Sequence, residues 1–318
     1  MSMADYLAPS RHVSPRKIRS LINHPERTPV DIRLLSQVEL NIIRSDAYHK
    51  LAGVYKDPTL AQDETRLRTV IDDTSLELSL WLDEWIDVVS SDPLGQQREV
   101  ALQNLHIQHQ WALMTLHLKA IATTGIENIA IMTDFQQNSV RKAKEAAARH
   151  LYHVLDASTP NGSHASPDAS QPVHGSSYLS TFRWTLDYVW AKCAFSVLLV
   201  LKLAILLRDP VPAVMLLLRD AHRLLEELKR VTVGHIAYFQ ILQTSIEKCE
   251  AALTEYVTQQ NTASGPDLTS PEGTGAAEDE FQGYVPNEFV FEWDFPGLNL
   301  KHMPLGWQDF FIDIDGLF

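Results

Sequence analysis

Two cysteines, Cys193 and Cys249, are all that the 318 residues carry. A disulfide framework or a cysteine-rich zinc site is thereby excluded. Both fall on apolar faces of expected helices, where a thiol acts as a small buried hydrophobe. Basic excess is missing too: 27 Lys and Arg stand against 40 Asp and Glu, for a net charge of −13. A broad nucleic-acid surface needs the opposite balance. There is no Gly-rich phosphate loop and no nucleophile-elbow pattern, and the body contains no strand-length alternating run. The opening MSMADYLAPSRH has no apolar signal region, so an intracellular protein is expected. The longest apolar run, 184–207, reads WTLDYVWAKCAFSVLLVLKLAILL. Lys192 and Lys202 lie inside it and Asp187 near its start. Each charge costs about 2.5–3.5 kcal/mol near the centre of a spanning helix. The run therefore reads as the buried central helix of a large all-α core, with no membrane partner.

What is present is helical period. Thr28-Pro29-Val30-Asp31 suits a helix start: Thr28 caps, Pro29 takes the first position and Asp31 faces the positive dipole end. This helix is expected over 29–56, with Leu35, Val38 and Ile42 passing to Ile43, Ala47, Leu51 and Val54 on the inner face. A second, over 67–90, repeats Leu78, Trp81, Trp85 and Val88. A third, over 98–123, carries Val100, Leu102, Leu105, Trp111, Leu113, Leu116 and Leu118. A fourth, over 126–156, turns Ala143, Ala147, Leu151 and Val154 inward and Arg141, Lys142, Lys144, Glu145 and Arg149 to water. The central helix follows over 178–208 and is broken by Asp209-Pro210-Val211-Pro212. Two further helices, over 213–231 and 235–259, carry seams at Val214, Leu217, Ala221, Leu224, Leu228 and at Phe239, Leu242, Ile246, Cys249, Leu253, Tyr256. Regular seams joined by a short turn predict an antiparallel pair.

Two low-complexity breaks interrupt the pattern. Residues 158–177, STPNGSHASPDASQPVHGSS, contain no Leu, Ile or aromatic residue and read as a disordered insertion. Residues 259–284 read as a disordered linker. Beyond it, the stretch 285–318 sets Phe289, Phe291, Trp293 and Phe295 among Glu288, Glu292 and Asp294. It then interleaves Trp307, Phe310, Phe311, Ile312, Ile314, Leu317 and Phe318 with Asp309, Asp313 and Asp315. Nine acids and one base from residue 278 onward place eight of the 13 net negative charges in the last 41 residues. Acidic–hydrophobic alternation is the composition of disordered activation segments. Carboxylate repulsion keeps the aromatics apart and available to a partner's groove. The alternative is an arm packed on the helical body, and the two are compatible if a signal releases the arm.

Candidate chemistry is sparse. His106 and His109, and His150 and His153, are spaced i, i+3, which can serve a metal. No acid or cysteine supports either pair, so they read as ordinary histidines. Asp72-Asp73-Thr74-Ser75-Leu76-Glu77 looks somewhat like the magnesium-binding aspartate motif of all-α terpenoid synthases, which cluster carboxylates to hold magnesium against a diphosphate. The spacing differs, and the second motif of those enzymes is missing, since Asn138 to Glu145 has the wrong intermediates. A magnesium-dependent enzyme of that kind, using Asp72, Asp73 and Glu77, is the alternative reading.

The chain resembles the regulatory part of fungal zinc-cluster transcription factors, those with a two-zinc, six-cysteine DNA-binding domain. Three stretches carry the resemblance: YLAPSRHVSPRKIRSLINHPERTPVDIRLLSQVELNIIRSDAYHKL at 6–51, LQNLHIQHQWALMTLHLKA at 102–120, and WQDFFIDIDGLF at 307–318. It implies an all-helical middle homology region that restrains activity and senses a metabolite, a C-terminal activation segment, and work in the nucleus on RNA polymerase II genes. One large departure stands out. The six-cysteine cluster and its coiled-coil linker would precede this region and are not in these 318 residues. No zinc ligand can be carried over, and DNA binding would come from an upstream domain or a partner.

The expected organisation is a polar arm over 1–28 with Arg11, Arg16, Lys17, Arg19 and Arg27, and an all-helical, bundle-like regulatory domain over 29–258. The linker and the activation stretch follow. Trp307, Asp309, Phe310, Phe311, Asp313, Asp315, Leu317 and Phe318 are the expected coactivator contacts. A small-molecule effector and a second copy of the chain are further expected partners. No catalytic residue, cofactor or metal is assigned.

Overall fold

The computed structural model describes residues 28–56, 64–91, 97–121, 132–156, 188–231 and 236–263, together with Ser20, Ile22 and His24. Among the described residues the fold is all-α, with seven long helices and no strand. They are α1 (Pro29–Lys56), α2 (Glu64–Ser91), α3 (Gln97–Ala120), α4 (Asp134–Asp156), α5 (Tyr188–Leu206), α6 (Val211–Val231) and α7 (Ile236–Ala263). They fall into two compact units, α1–α3 in one and α4–α7 in the other.

In the first unit each helix packs on the other two. Helix α1 starts as its sequence dictates. The Thr28 carbonyl accepts from the Asp31 and Ile32 amides, while the Asp31 carboxylate accepts from the Thr28 amide and hydroxyl at 2.7 Å each. Those bonds also hold the Asp31 carboxyl below its usual pKa. Helix α2 buries Leu67, Ile71, Thr74, Leu78, Trp81, Trp85 and Val89 on one stripe. Val89, not Val88, closes that stripe; Val88 is half-buried. The inner face of α1 also differs from expectation over its first half. Leu35, Val38 and Ile42 are only half-buried, and Ile32, Ser36, Glu39 and Leu40 turn inward instead. For Glu39 the cause lies opposite, in an indole that needs an acceptor, as described below.

The second unit is organised around α5, which contacts α4, α6 and α7. Every residue from Cys193 to Leu201 is buried, as a helix apolar on all sides requires. Lys192 and Lys202 are half-buried at the ends of this stretch, positions that let a long stem lie on apolar surface with its ammonium at the edge. No helix among the described residues is long and apolar enough to cross a membrane. Helix α4 begins at Asp134 and not near 126. Thr133 and Gln136 form a reciprocal cap there, amide to side-chain oxygen at 3.0 and 3.3 Å, which fixes the first turn.

Helix α5 ends in a Schellman motif. The Asp209 amide donates to the Ala204 carbonyl and the Arg208 amide to the Ile205 carbonyl. Arg208 occupies the left-handed position, with φ of 56°. The Pro210 carbonyl then accepts from Ala213 and Val214, so α6 starts within two residues. Pro212 sits in its first turn, where a missing amide costs nothing. Helices α6 and α7 pack on each other and on α5; α6 buries Val214, Leu218, Ala221, Leu224, Leu225 and Leu228, and α7 buries Leu242, Ile246, Cys249 and Leu253. Leu217 is only half-buried. Helix α7 runs on to Ala263, into the first residues expected to be linker.

Candidate functional site

The polar groups of the first unit form a seam that sequence reasoning missed. The indole of Trp81 donates to the Ser36 carbonyl at 3.1 Å, and that of Trp85 to Glu39 Oε2 at 2.7 Å. All four residues are buried. An indole N–H taken out of water needs an acceptor, and these two stand one turn apart on α2. Ser36 and Glu39 stand nearly one turn apart on α1, so the two ladders match. Further along, the Tyr48 hydroxyl donates to Thr115 Oγ1 at 2.9 Å, joining α1 to α3. Two cations attend the Tyr48 ring, with Arg44 Cζ 5.9 Å and Lys119 Nζ 5.7 Å from its centroid. Burial lowers the Lys119 pKa below its ordinary value. A signal for this seam existed: a tryptophan pair with helical spacing, whose buried N–H groups need acceptors on a neighbouring helix.

The expected coactivator contacts, Trp307, Asp309, Phe310, Phe311, Asp313, Asp315, Leu317 and Phe318, lie outside the described residues. So does the insertion at 158–177.

The carboxylates of the magnesium-type motif are all exposed. On α2, Asp72 and Glu77 point about 140° apart around the helix axis, at roughly 100° per residue. They flank the exposed Leu76 on opposite sides and do not converge on one point. Among the described residues, no group of three or more His, Cys, Asp or Glu side chains is placed to hold a metal ion.

The histidine pairs divide by burial. His109 and His150 are buried, and His106 and His153 half-buried. Burial lowers the His106 pKa. His150 goes much further. Its burial, with Lys192 and His153 nearby, pushes its pKa down to about 3, so the ring is neutral at pH 7. Both cysteines are buried, as expected, and burial pushes each thiol up to about 12. Thiols so rarely ionised are poor nucleophiles and poor metal ligands.

Among the described residues, an ion pair and a histidine–carboxylate hydrogen bond each link elements of the second unit. Lys144, expected in water, is half-buried and reaches Asp209 at 2.6 Å, tying α4 to the α5–α6 turn. Asp209 is held there by the Schellman bonds, and this fixed carboxylate draws the lysine in. His222 on α6 lies 2.6 Å from Glu250 on α7.

The outward face of α2 is one-sided in charge. Leu76 and Leu80 are 61% and 60% exposed. Around them stand the exposed Asp72, Asp73, Glu77, Asp83, Glu84 and Asp87, and α2 has no Lys or Arg after Arg68.

No family model, no curated protein and no solved structure matches this chain.

Proposed function

We propose that the chain is the regulatory and activating part of a nuclear transcription factor of the fungal zinc-cluster type, with DNA binding supplied by another domain or a partner. The observation that carries this reading is the acidic–aromatic alternation of the C-terminal stretch, above all WQDFFIDIDGLF at 307–318. Large hydrophobes separated by carboxylates stay solvated singly, and together they enter a partner's apolar groove. The carboxylates also steer the segment toward basic rims. In this scheme Trp307, Phe310, Phe311, Leu317 and Phe318 are the anchors, and Asp309, Asp313 and Asp315 keep them soluble. The resemblance at 6–51 and 102–120 supports the same assignment. An all-helical body is what that resemblance implies, but many unrelated proteins share it, so the weight rests on the C-terminal pattern. The regulator carries no catalytic assignment.

The test fuses residues 285–318 to a foreign DNA-binding domain and reads a reporter gene. Activation is expected, with a loss of at least tenfold on Phe310→Ala/Phe311→Ala. Output unchanged by that double substitution would remove the anchors, and no output from the parent fusion would remove the activation reading.

A further inference from the structure

We propose that the outward face of α2 docks a basic amphipathic helix of a partner protein. Leu76 and Leu80 would meet that helix's apolar side chains, and the surrounding carboxylates its Lys and Arg residues. The inference rests on α2 alone and stands apart from the activation reading.

Helical period puts the pieces in place. At roughly 100° per residue, Leu76, Leu80 and Asp87 fall within about 40° of one another, at the centre of the side facing away from the core. Asp72 and Asp83 flank them on one side, and Asp73, Glu77 and Glu84 on the other. The stretch from Asp72 to Asp87 is about 24 Å long at 1.5 Å per residue, enough for four turns of a second helix. The core side of α2 is already filled from Leu67 to Val89, so packing does not call for the two leucines. They sit where water would favour charge, and the charges surround them as a rim, the arrangement of a small contact surface.

The sign of the rim selects the partner. Asp73 and Glu77, and Asp83 and Asp87, are like-charged pairs at i, i+4, a spacing at which like charges destabilise a helix. On α1, Lys50 binds Asp46 at 2.6 Å and feels Asp73 and Glu77 more weakly. A helix carrying leucines on one stripe and Lys or Arg beside it would relieve the repulsion and cover the leucines together. An acidic or purely polar segment would do neither.

The probe is a labelled 20-residue helical peptide with leucines at i, i+4 spacing between rows of Lys and Arg. Its binding to the full chain is followed by fluorescence anisotropy. Saturable binding is expected to weaken at least tenfold in Leu76→Ser/Leu80→Ser and at least tenfold in Asp83→Lys/Asp87→Lys. It should also weaken at least tenfold when the peptide's leucines become serines. All four substituted side chains are exposed, and circular dichroism verifies that the variants keep their helix content. Absence of saturable binding overturns the proposal. So does binding that survives both variants, which would put the peptide elsewhere on this acidic chain, such as 285–318. Binding that responds to the charges but not to the leucines overturns it as well. Self-association of the chain abolished by Leu76→Ser/Leu80→Ser, with no peptide binding, would assign the face to a second copy instead. The reporter assay reads other residues, so either proposal can fail without the other.

Discussion

Tryptophan decides more of the first unit than its volume suggests. Trp81 and Trp85 are buried with their N–H groups on Ser36 and Glu39. The Trp85 bond draws the Glu39 carboxylate into the core face of α1, where Val38 and Ile42 would otherwise be expected, while Trp81 uses only the backbone carbonyl of Ser36. Taking away the Glu39 acceptor leaves a buried donor unsatisfied, at a cost of about 1–3 kcal/mol. Glu39→Ala is therefore expected to lower unfolding free energy by that amount in a urea titration. Glu39→Gln, which retains a carbonyl acceptor of nearly the same reach, should cost clearly less. Equal losses in the two variants would show that the indole bond contributes little. The pairing was partly legible beforehand, because a buried indole announces its need for an acceptor. Which residues of α1 meet that need depends on the register of two helices, and no local pattern states it.

Among the elements, the α5–α6 connection shows how a turn can be both legible and surprising. The break at Asp209-Pro210-Val211-Pro212 follows from proline chemistry. The arginine in the left-handed position does not, since glycine or asparagine normally occupies it. A non-glycine residue there costs roughly 1 kcal/mol or more. Arg208→Gly removes that cost, partly offset by the greater freedom of glycine in the unfolded chain. The variant is expected to raise the urea midpoint, with a gain of up to about 1 kcal/mol. A lower midpoint would mean that the arginine side chain contributes more than its backbone costs. The same turn holds Asp209 for Lys144. A lysine that helical period assigned to solvent thus becomes a tertiary contact.

At the scale of the whole molecule, a buried histidine adds to the response to pH. His150 is buried in the second unit, with Lys192 and His153 nearby. Its folded pKa of about 3 lies below the ordinary 6.5, so the unfolded chain binds the proton first. Above pH 6.5 the ring is neutral in both states and contributes no slope. As pH falls from 6.5 toward 3, stability is lost at up to about 1.4 kcal/mol per pH unit. The difference in unfolding free energy between the protein and His150→Leu, measured by urea titration across pH 4–8, should therefore be flat above about 6.5 and change below it. A flat difference throughout would place the ring in contact with water.

The sequence by itself determined the helical class, the existence of each of the seven described helices, the central position of α5 and the burial of both cysteines. These follow from local physics: apolar period, capping groups, proline breaks, and an apolar run too charged for lipid. Helix ends were legible where the cap was recognised, as at Thr28, and misplaced where it was overlooked, as at Thr133 and Gln136. Only tertiary structure decided which polar residues enter the core, because a hydrogen bond or ion pair needs two partners brought together from distant stretches. Glu39 turns inward for an indole 46 residues away, and Lys144 leaves the solvent for a carboxylate 65 residues on. The exposure of the outward face of α2 was likewise undecided in sequence. Asp72, Asp73 and Glu77 resemble a metal motif as a string, and only their spread around an exposed helix flank makes them the rim of a surface.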